Sequence, residues 1–284
     1  MDKSTYPVCF CNIWRVAVEK EGNDSGWEKV PAIKLIVGKC QSLGPGGVFR
    51  WKQTEVRGPY WRIYWNDAPG AFVSCGGNEV ELTPGKIIAL SPDAVYSTRA
   101  ERLVNHFYVH CFVSQPFSEI KGRIFVMTAP ELARQASILA GKVNERADEP
   151  RTQMELLVYL NSVFLAIPAE SVPDCPAYSP KVAKSMEILE KTQKISNDEL
   201  AKSVNMSRNG FLFLFKKETR TSPQAYSRQL RLNEACIMLQ HSDKSIDEIA
   251  LETGFCDRYY FSRAFHQVIG CAPGQFRFRR YPTG

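Results

Sequence analysis

The chain has 284 residues and carries 36 Lys and Arg against 30 Asp and Glu, a formal net charge of +6. Residues 181–284 hold 17 of the basic and 11 of the acidic side chains, so the excess positive charge lies in the last third. That length suits two domains. No apolar run reaches the ~18 residues a membrane span needs, and the N-terminus lacks the basic start and apolar core of a signal peptide.

Nine cysteines, an odd number in a chain without an export signal, point to reduced thiols and a cytoplasmic protein. Cys9 and Cys11 are the one close pair, and no second pair offers them a zinc-site spacing; buried strand cysteines are the simpler expectation.

The first third reads as strands. Segments 8–18, 32–40, 61–66, 71–75, 79–82, 86–90 and 104–113 are short and rich in β-branched and aromatic residues. The turns between them include Gly44-Pro45-Gly46-Gly47, Pro69-Gly70, Gly76-Gly77 and Pro84-Gly85. Such spacing predicts a small antiparallel barrel or sandwich. The run from Trp61 through Leu82-Thr83-Pro84-Gly85-Lys86 to Leu90-Ser91-Pro92 resembles a cupin-like effector domain. A small barrel can enclose one ligand, and Trp61, Tyr64, Trp65, His106, Tyr108 and His110 are available to line such a site. Aromatic faces with a few hydrogen-bonding groups suit a sugar or similar polar metabolite, although half of these residues can equally pack the core or face solvent.

Many cupins hold a catalytic metal, which makes a cupin-type enzyme with a DNA-targeting domain the alternative reading. His106 and His110 share one face of a strand. The turn after Gly70 offers Ser74, Asn78 and Glu79 but no histidine, and Tyr96 stands where a cupin histidine is expected. Two histidines on one strand are a poor ligand set, so no metal, cofactor or catalytic residue is expected.

Helices follow. Thr128 and Glu131 read as a capping box, after which Leu132, Ala136, Leu139 and Val143 form an apolar stripe to about Ala147. A second helix over 152–167 is apolar on two sides. Met154, Leu157, Val158 and Leu165 lie on one side; Leu156, Leu160, Val163 and Ile167 lie on the other. One side can cover the barrel, and the other can meet a second copy of the chain or lie under the first helix. Four prolines between Pro168 and Pro180 then mark a linker. The division is an effector-binding and dimerisation domain over 1–167, a linker over 168–180 and an all-α domain over 181–284.

The all-α domain contains one pattern twice. Ser196 with Glu199, and Ser245 with Glu248, are capping boxes that open short helices. Asn205-Met206 and Gly254-Phe255 supply the turns. Ser207 and Asp257 cap second helices carrying Phe211 and Phe215, or Phe261 and Phe265, four residues apart on the inward side. Pro223 pairs with Pro273, and a long helical segment from Gln224 to Gln240 joins the copies. These are two helix-turn-helix units, over about 196–217 and 245–267. If their second helices stand about one DNA turn apart, ~34 Å, both can enter successive major grooves.

The run Ile246-Asp247-Glu248-Ile249-Ala250, Gly254-Phe255, Tyr260-Phe261-Ser262-Arg263-Ala264-Phe265, Gly270, Pro273 and Phe276-Arg277 resembles the signature of AraC/XylS-type transcription regulators. The resemblance implies an α+β multidomain protein that binds double-stranded DNA, answers a small-molecule effector, activates transcription by contact with RNA polymerase, and acts as a homodimer. The candidate DNA-contacting residues are Arg208, Asn209, Leu212, Phe213 and Lys216 in the first unit, and Arg258, Tyr259, Ser262 and Arg263 in the second. Arginine can fork onto a guanine edge. In this family the position of Arg263 usually carries a polar or basic base reader in both units, yet Phe213 fills it in the first. Leu212 and Phe213 can pack on thymine methyl groups, contact another protein, or be buried by a tilt of the helix.

Overall fold

The computed structural model describes residues 31–47, 51–147, 149–174, 178–192 and 194–278; the strand expected over 8–18 and the Cys9–Cys11 pair lie outside them. Among the described residues nine strands come first: β1 (Ile33–Leu43), β2 (Gln53–Val56), β3 (Trp61–Asn66), β4 (Ala71–Cys75), β5 (Asn78–Leu82), β6 (Lys86–Leu90), β7 (Tyr96–Ala100), β8 (Val104–Val113) and β9 (Ile124–Thr128). They form two antiparallel sheets, ordered β1-β8-β3-β6-β9 and β2-β7-β4-β5. The sheets do not close into one barrel, so the sandwich form of the expectation is the one realised. Strands β2, β7 and β9 were not legible as strands in the sequence.

Every residue of β3 is buried, because both faces of its sheet are covered. Trp61, Ile63 and Trp65 point one way, into a core shared with Phe107, Val109 and Cys111 of β8 and with the helices that follow. Tyr64 points the other way, towards the second sheet, into a layer containing Trp51, Val73, Leu82, Ile88 and Tyr96. Each large apolar side chain buried this way contributes about 1.5–3 kcal/mol.

Three helices follow rather than two: α1 (Pro130–Ala140), the one-turn α2 (Val143–Arg146) and α3 (Pro150–Leu165). Thr128 does not cap α1. It ends β9 in register with Lys86, and Pro130 opens the helix with Ala129 at the N-cap, which makes no side-chain hydrogen bond. Glu131 pairs instead with Arg134 in the first turn. Asn144 of α2 pins β1 by accepting from the Cys40 amide at 3.0 Å and donating to its carbonyl at 2.6 Å. Helix α3 lies close against β1, where a Cβ on Gly38 would sit 3.2 Å from Leu156 Cδ1, so any larger residue there requires Leu156 to give by a few tenths of an ångström. On α3, Leu156, Tyr159, Leu160, Val163 and Phe164 are buried, while Met154, Val158 and Leu165 are exposed.

The rest is helical: α4 (Pro180–Lys191), α5 (Asn197–Ser203), α6 (Arg208–Thr219), α7 (Pro223–His241), α8 (Ile246–Glu252), α9 (Arg258–Ile269) and α10 (Pro273–Phe278). One core gathers Val182 and Leu189 of α4 with Leu200, Phe211 and Phe215. Another gathers Leu232, Ala235 and Leu239 of α7 with Ile249, Phe255, Phe261, Phe265 and Phe276. This second core also includes Ile36, Val37 and Tyr60 from the strand region. A bulge between Leu35 and Val37 makes that possible. It frees the Ile36 carbonyl from the ladder, and His241 Nε2 at the end of α7 meets that oxygen at 2.5 Å.

Candidate nucleic-acid interface and effector site

The two helix-turn-helix units are built alike, down to their caps. Ser196 Oγ accepts from the Glu199 amide at 3.2 Å, and the Ser196 amide donates back to Glu199 Oε2 at 2.9 Å. In the second unit, Ser245 Oγ accepts from Glu248 at 3.1 Å and its amide donates to Glu248 Oε2 at 2.6 Å. These backbone donors hold both glutamate carboxyls below the usual range. The turns carry left-handed residues, Asn205 at φ 53° and Gly254 at φ 77°. Asparagine tolerates that region better than most residues, so it can stand in for glycine. Ser207 Oγ then caps α6 through the Gly210 amide, and Asp257 caps α9 through the Tyr260 amide at 2.7 Å. Phe211 and Phe215 stand 5.7 Å apart, ring centre to ring centre; Phe261 and Phe265 stand 5.5 Å apart.

With those phenylalanines inward, the opposite faces of α6 and α9 are open. Arg208, Asn209, Phe213 and Lys216 are exposed on α6, with Leu212 half-buried. Arg258, Tyr259 and Arg263 are exposed on α9, with Ser262 half-buried. Phe213 is 71% exposed and Tyr259 80%, large apolar surfaces to leave in water. The helix does not tilt to bury Phe213.

The first arginine of each helix has a second employment, which the sequence reading missed. Arg208 Nε lies 3.7 Å from Asp198 Oδ2, and Arg258 Nη1 lies 3.1 Å from Asp247 Oδ2. In both units the aspartate is two residues past the capping serine and the arginine one past the second cap. That spacing was the available signal. The pair links the two helices of each unit; Arg263, on the open face of α9, forms no ion pair among the described residues and has the capping Asp257 as its acidic neighbour. Arg231 of α7 was also missed: it donates to the Gly254 carbonyl at 2.9 Å and stacks over Phe255 at 4.7 Å, holding the second turn from behind.

A helix-turn-helix domain model matches residues 200–279, from within α5 to past α10, and so takes in all but the start of the first unit. The transcriptional activator RhaR of Klebsiella pneumoniae is 43% identical over 65 residues, 23% of each chain. This is an AraC-type helix-turn-helix domain. The activator RclR of Escherichia coli is similar over a longer stretch, 22% identical over 249 residues, 87% of this chain and 80% of RclR. The solved structure of unsaturated fatty acid-bound ToxT from Vibrio cholerae matches with a TM-score of 0.52 at 12% identity, over 94% of this chain and 99% of that one. At that identity it shares the fold: antiparallel sheets followed by a helical domain. The RhaR match spans less than a quarter of that protein's length.

The six candidate effector residues do not form one lining. Trp61 and Trp65 point into the core beneath α1 and α3, and their ring nitrogens donate to the Phe117 and Pro84 carbonyls. Tyr64, His106, Tyr108 and His110 gather on the other side of the sheet. His106 lies 4.8 Å from Tyr64 and 5.6 Å from Tyr108, ring to ring, and Tyr108 lies 5.1 Å from His110. Residues absent from the expectation join them. Trp51 packs on His106 at 4.7 Å, Tyr96 shares a 2.7 Å hydroxyl hydrogen bond with Tyr64, and Asn66 meets His106 Nδ1 at 2.7 Å. Arg62 lies there as well, buried among tyrosines. Strict alternation along β3 could have found Arg62 and Asn66, since both share the face of Tyr64. Burial lowers His106 to a pKa of about 3, so its ring is neutral.

Among the described residues no group of three or more His, Cys, Asp or Glu is placed to hold a metal ion, and no helix is long and apolar enough to cross a membrane.

Proposed function

We propose that the chain is a sequence-specific regulator of transcription that grips duplex DNA through α6 and α9 and responds to a small polar molecule, such as a sugar, bound between the sheets. The observation that carries the reading is the doubled unit with two outward-facing helices, set in the part of the chain that holds all the excess positive charge. Arg263 reads guanine, and Arg208 and Arg258 reach phosphate from their braced positions. RhaR and RclR are named as activators, which supports activation through contact with RNA polymerase. Met154, Val158 and Leu165 recur on one side of α3, which supports a homodimer joined along that helix. The setting is the cytoplasm.

The test is selection of a binding site from random duplexes with the full chain, followed by fluorescence anisotropy at several salt concentrations. Affinity should fall steeply with salt. Arg263→Ala should cost about 1–3 kcal/mol at the selected site and relax preference at one guanine. Failure of the full chain to bind duplex DNA in a salt-sensitive way would end the reading.

A further inference from the structure

Arg62 is the least comfortable residue in the sheets. Its guanidinium is charged at any physiological pH, yet the residue is 1% exposed and its terminal nitrogens make no well-formed hydrogen bond, although the Tyr60 phenol lies close enough to favour the charge. Buried charges are ordinarily paired, because leaving water uncompensated is among the costliest arrangements a fold can hold. Arg62 forms no ion pair with a carboxylate among the described residues. Its neighbours are rings: the guanidinium carbon lies 4.3 Å from the Tyr60 centroid and 5.5 Å from that of Tyr96. Cation–π attraction offsets part of the cost. The Tyr64 phenol supplies no negative charge, since burial pushes its hydroxyl well above its ordinary value. Asn66, on the same face of β3, has a buried amide nitrogen that also lacks a partner. The layer therefore leaves three buried donor nitrogens, two on Arg62 and one on Asn66, without a well-formed hydrogen bond, beside the Arg62 charge. His106 adds no second charge, being held neutral by burial.

We propose that Arg62 anchors a monoanionic organic carboxylate taken up between the sheets, and that Tyr60 passes the event to the AraC-type domain. This rests on reading the layer between the sheets as the effector site, and it narrows the effector's chemistry. The aromatic surroundings favour a carboxylate with a ring or apolar body. A single cation favours one negative charge over the two of a phosphate. The transmission follows from segment 57–60, which lies between the guanidinium and the second helix-turn-helix unit. A Cβ on Gly58 would sit 2.6 Å from Nη2 of Arg62, and one on Gly270 would sit 3.7 Å from the Arg57 carbonyl oxygen. Between them, Tyr60 stacks on Arg62 and meets Phe276 of α10 edge-on at 6.1 Å. A carboxylate on the terminal nitrogens competes with the Tyr60 ring for the guanidinium, and displacement of that ring alters its contact with Phe276.

The test uses the full chain with benzoate as probe, benzamide as its neutral match and inorganic phosphate as the dianion. Benzoate at millimolar concentration should raise the melting temperature, and benzamide and phosphate should not. Arg62→Met should weaken benzoate binding at least ~10-fold, the loss of one charge-assisted hydrogen bond. It should also melt no lower than wild type, since it removes an uncompensated charge. Tyr60→Leu should keep benzoate binding but lose any benzoate-dependent change in DNA affinity. The proposal is overturned if benzoate leaves wild type unmoved, if benzamide acts equally, or if Arg62→Met binds benzoate unchanged or melts well below wild type. A neutral sugar that stabilises wild type and Arg62→Met alike would overturn the proposal and leave the effector reading intact. Loss of DNA binding by wild type itself would strike the regulator reading.

Discussion

Two substitutions two residues apart, on opposite sides of α3, separate core from surface. Leu160 is 0% exposed, packed among Leu156, Tyr159 and Val163 against the five-stranded sheet, whereas Val158 is 57% exposed. Truncating a buried leucine costs about 2–5 kcal/mol, and seating a carboxyl there without a hydrogen-bond partner adds roughly 1–3 kcal/mol. Leu160→Glu should therefore lose about 3–8 kcal/mol, enough to unfold a chain whose total stability is about 5–15 kcal/mol. Val158→Glu adds a charge to a surface already in water and should stay within about 0.5 kcal/mol of wild type in monomer stability. If α3 joins two copies, the same charge in an apolar contact should split the dimer. Circular dichroism melting reads the first quantity and light scattering behind size exclusion reads the second. A folded Leu160→Glu chain would refute the packing described for α3. A folded Val158→Glu chain with the mass of a wild-type dimer would place the contact between copies elsewhere.

Three further outcomes follow from particular residues. Arg220 closes α6 with φ 59° where Gly270 closes α9 with φ 86°, so Arg220→Gly should stabilise by about 0.5–1 kcal/mol and Gly270→Ala should destabilise by a similar amount, both read by urea unfolding. The His106 ring has a folded pKa of about 3 against an ordinary 6.5, so its contribution to stability is complete above pH 6.5 and is lost as pH falls towards 3. At pH 5 the loss is about 2 kcal/mol, and His106→Gln should flatten this limb of the stability curve. Phe213→Ala should weaken preference for thymine in one half of the selected site, and uracil there should mimic it; lost activation with intact DNA affinity would instead assign Phe213 a protein contact.

The helical part was legible because its signals are local. Capping boxes, paired phenylalanines and turn residues act within a few positions, and each survives intact in α5, α6, α8 and α9. The sheet part was harder. Strands β2, β7 and β9 depend on partners far along the chain, and Gln53–Val56 is only four residues long, with Thr54 and Val56 its only strand-favouring side chains. The aromatic cluster between the sheets was half legible for the same reason. Tyr64 and Trp65 look equally suitable in a list of aromatics, but adjacent strand residues point to opposite faces. Thr128 misled because a strand claimed it before a helix could. On α3, the division of apolar residues into two sides was visible, and the structure assigns Leu156, Leu160 and Val163 to the core.

The two helix-turn-helix units, so similar inside, are moored differently. The second shares its core with Ile36, Val37 and Tyr60 and is tied to the β1 bulge through His241. The first has a core with no strand residue in it. Opening the first unit therefore sacrifices only its own small cluster, while opening the second also tears a seam against the sheets. Amide hydrogens of α5 and α6 should exchange with solvent sooner than those of α8 and α9. On a duplex, the second unit would set the register as one body with the sheets. The first, borne on the far end of a 19-residue helix, would accommodate the spacing it finds.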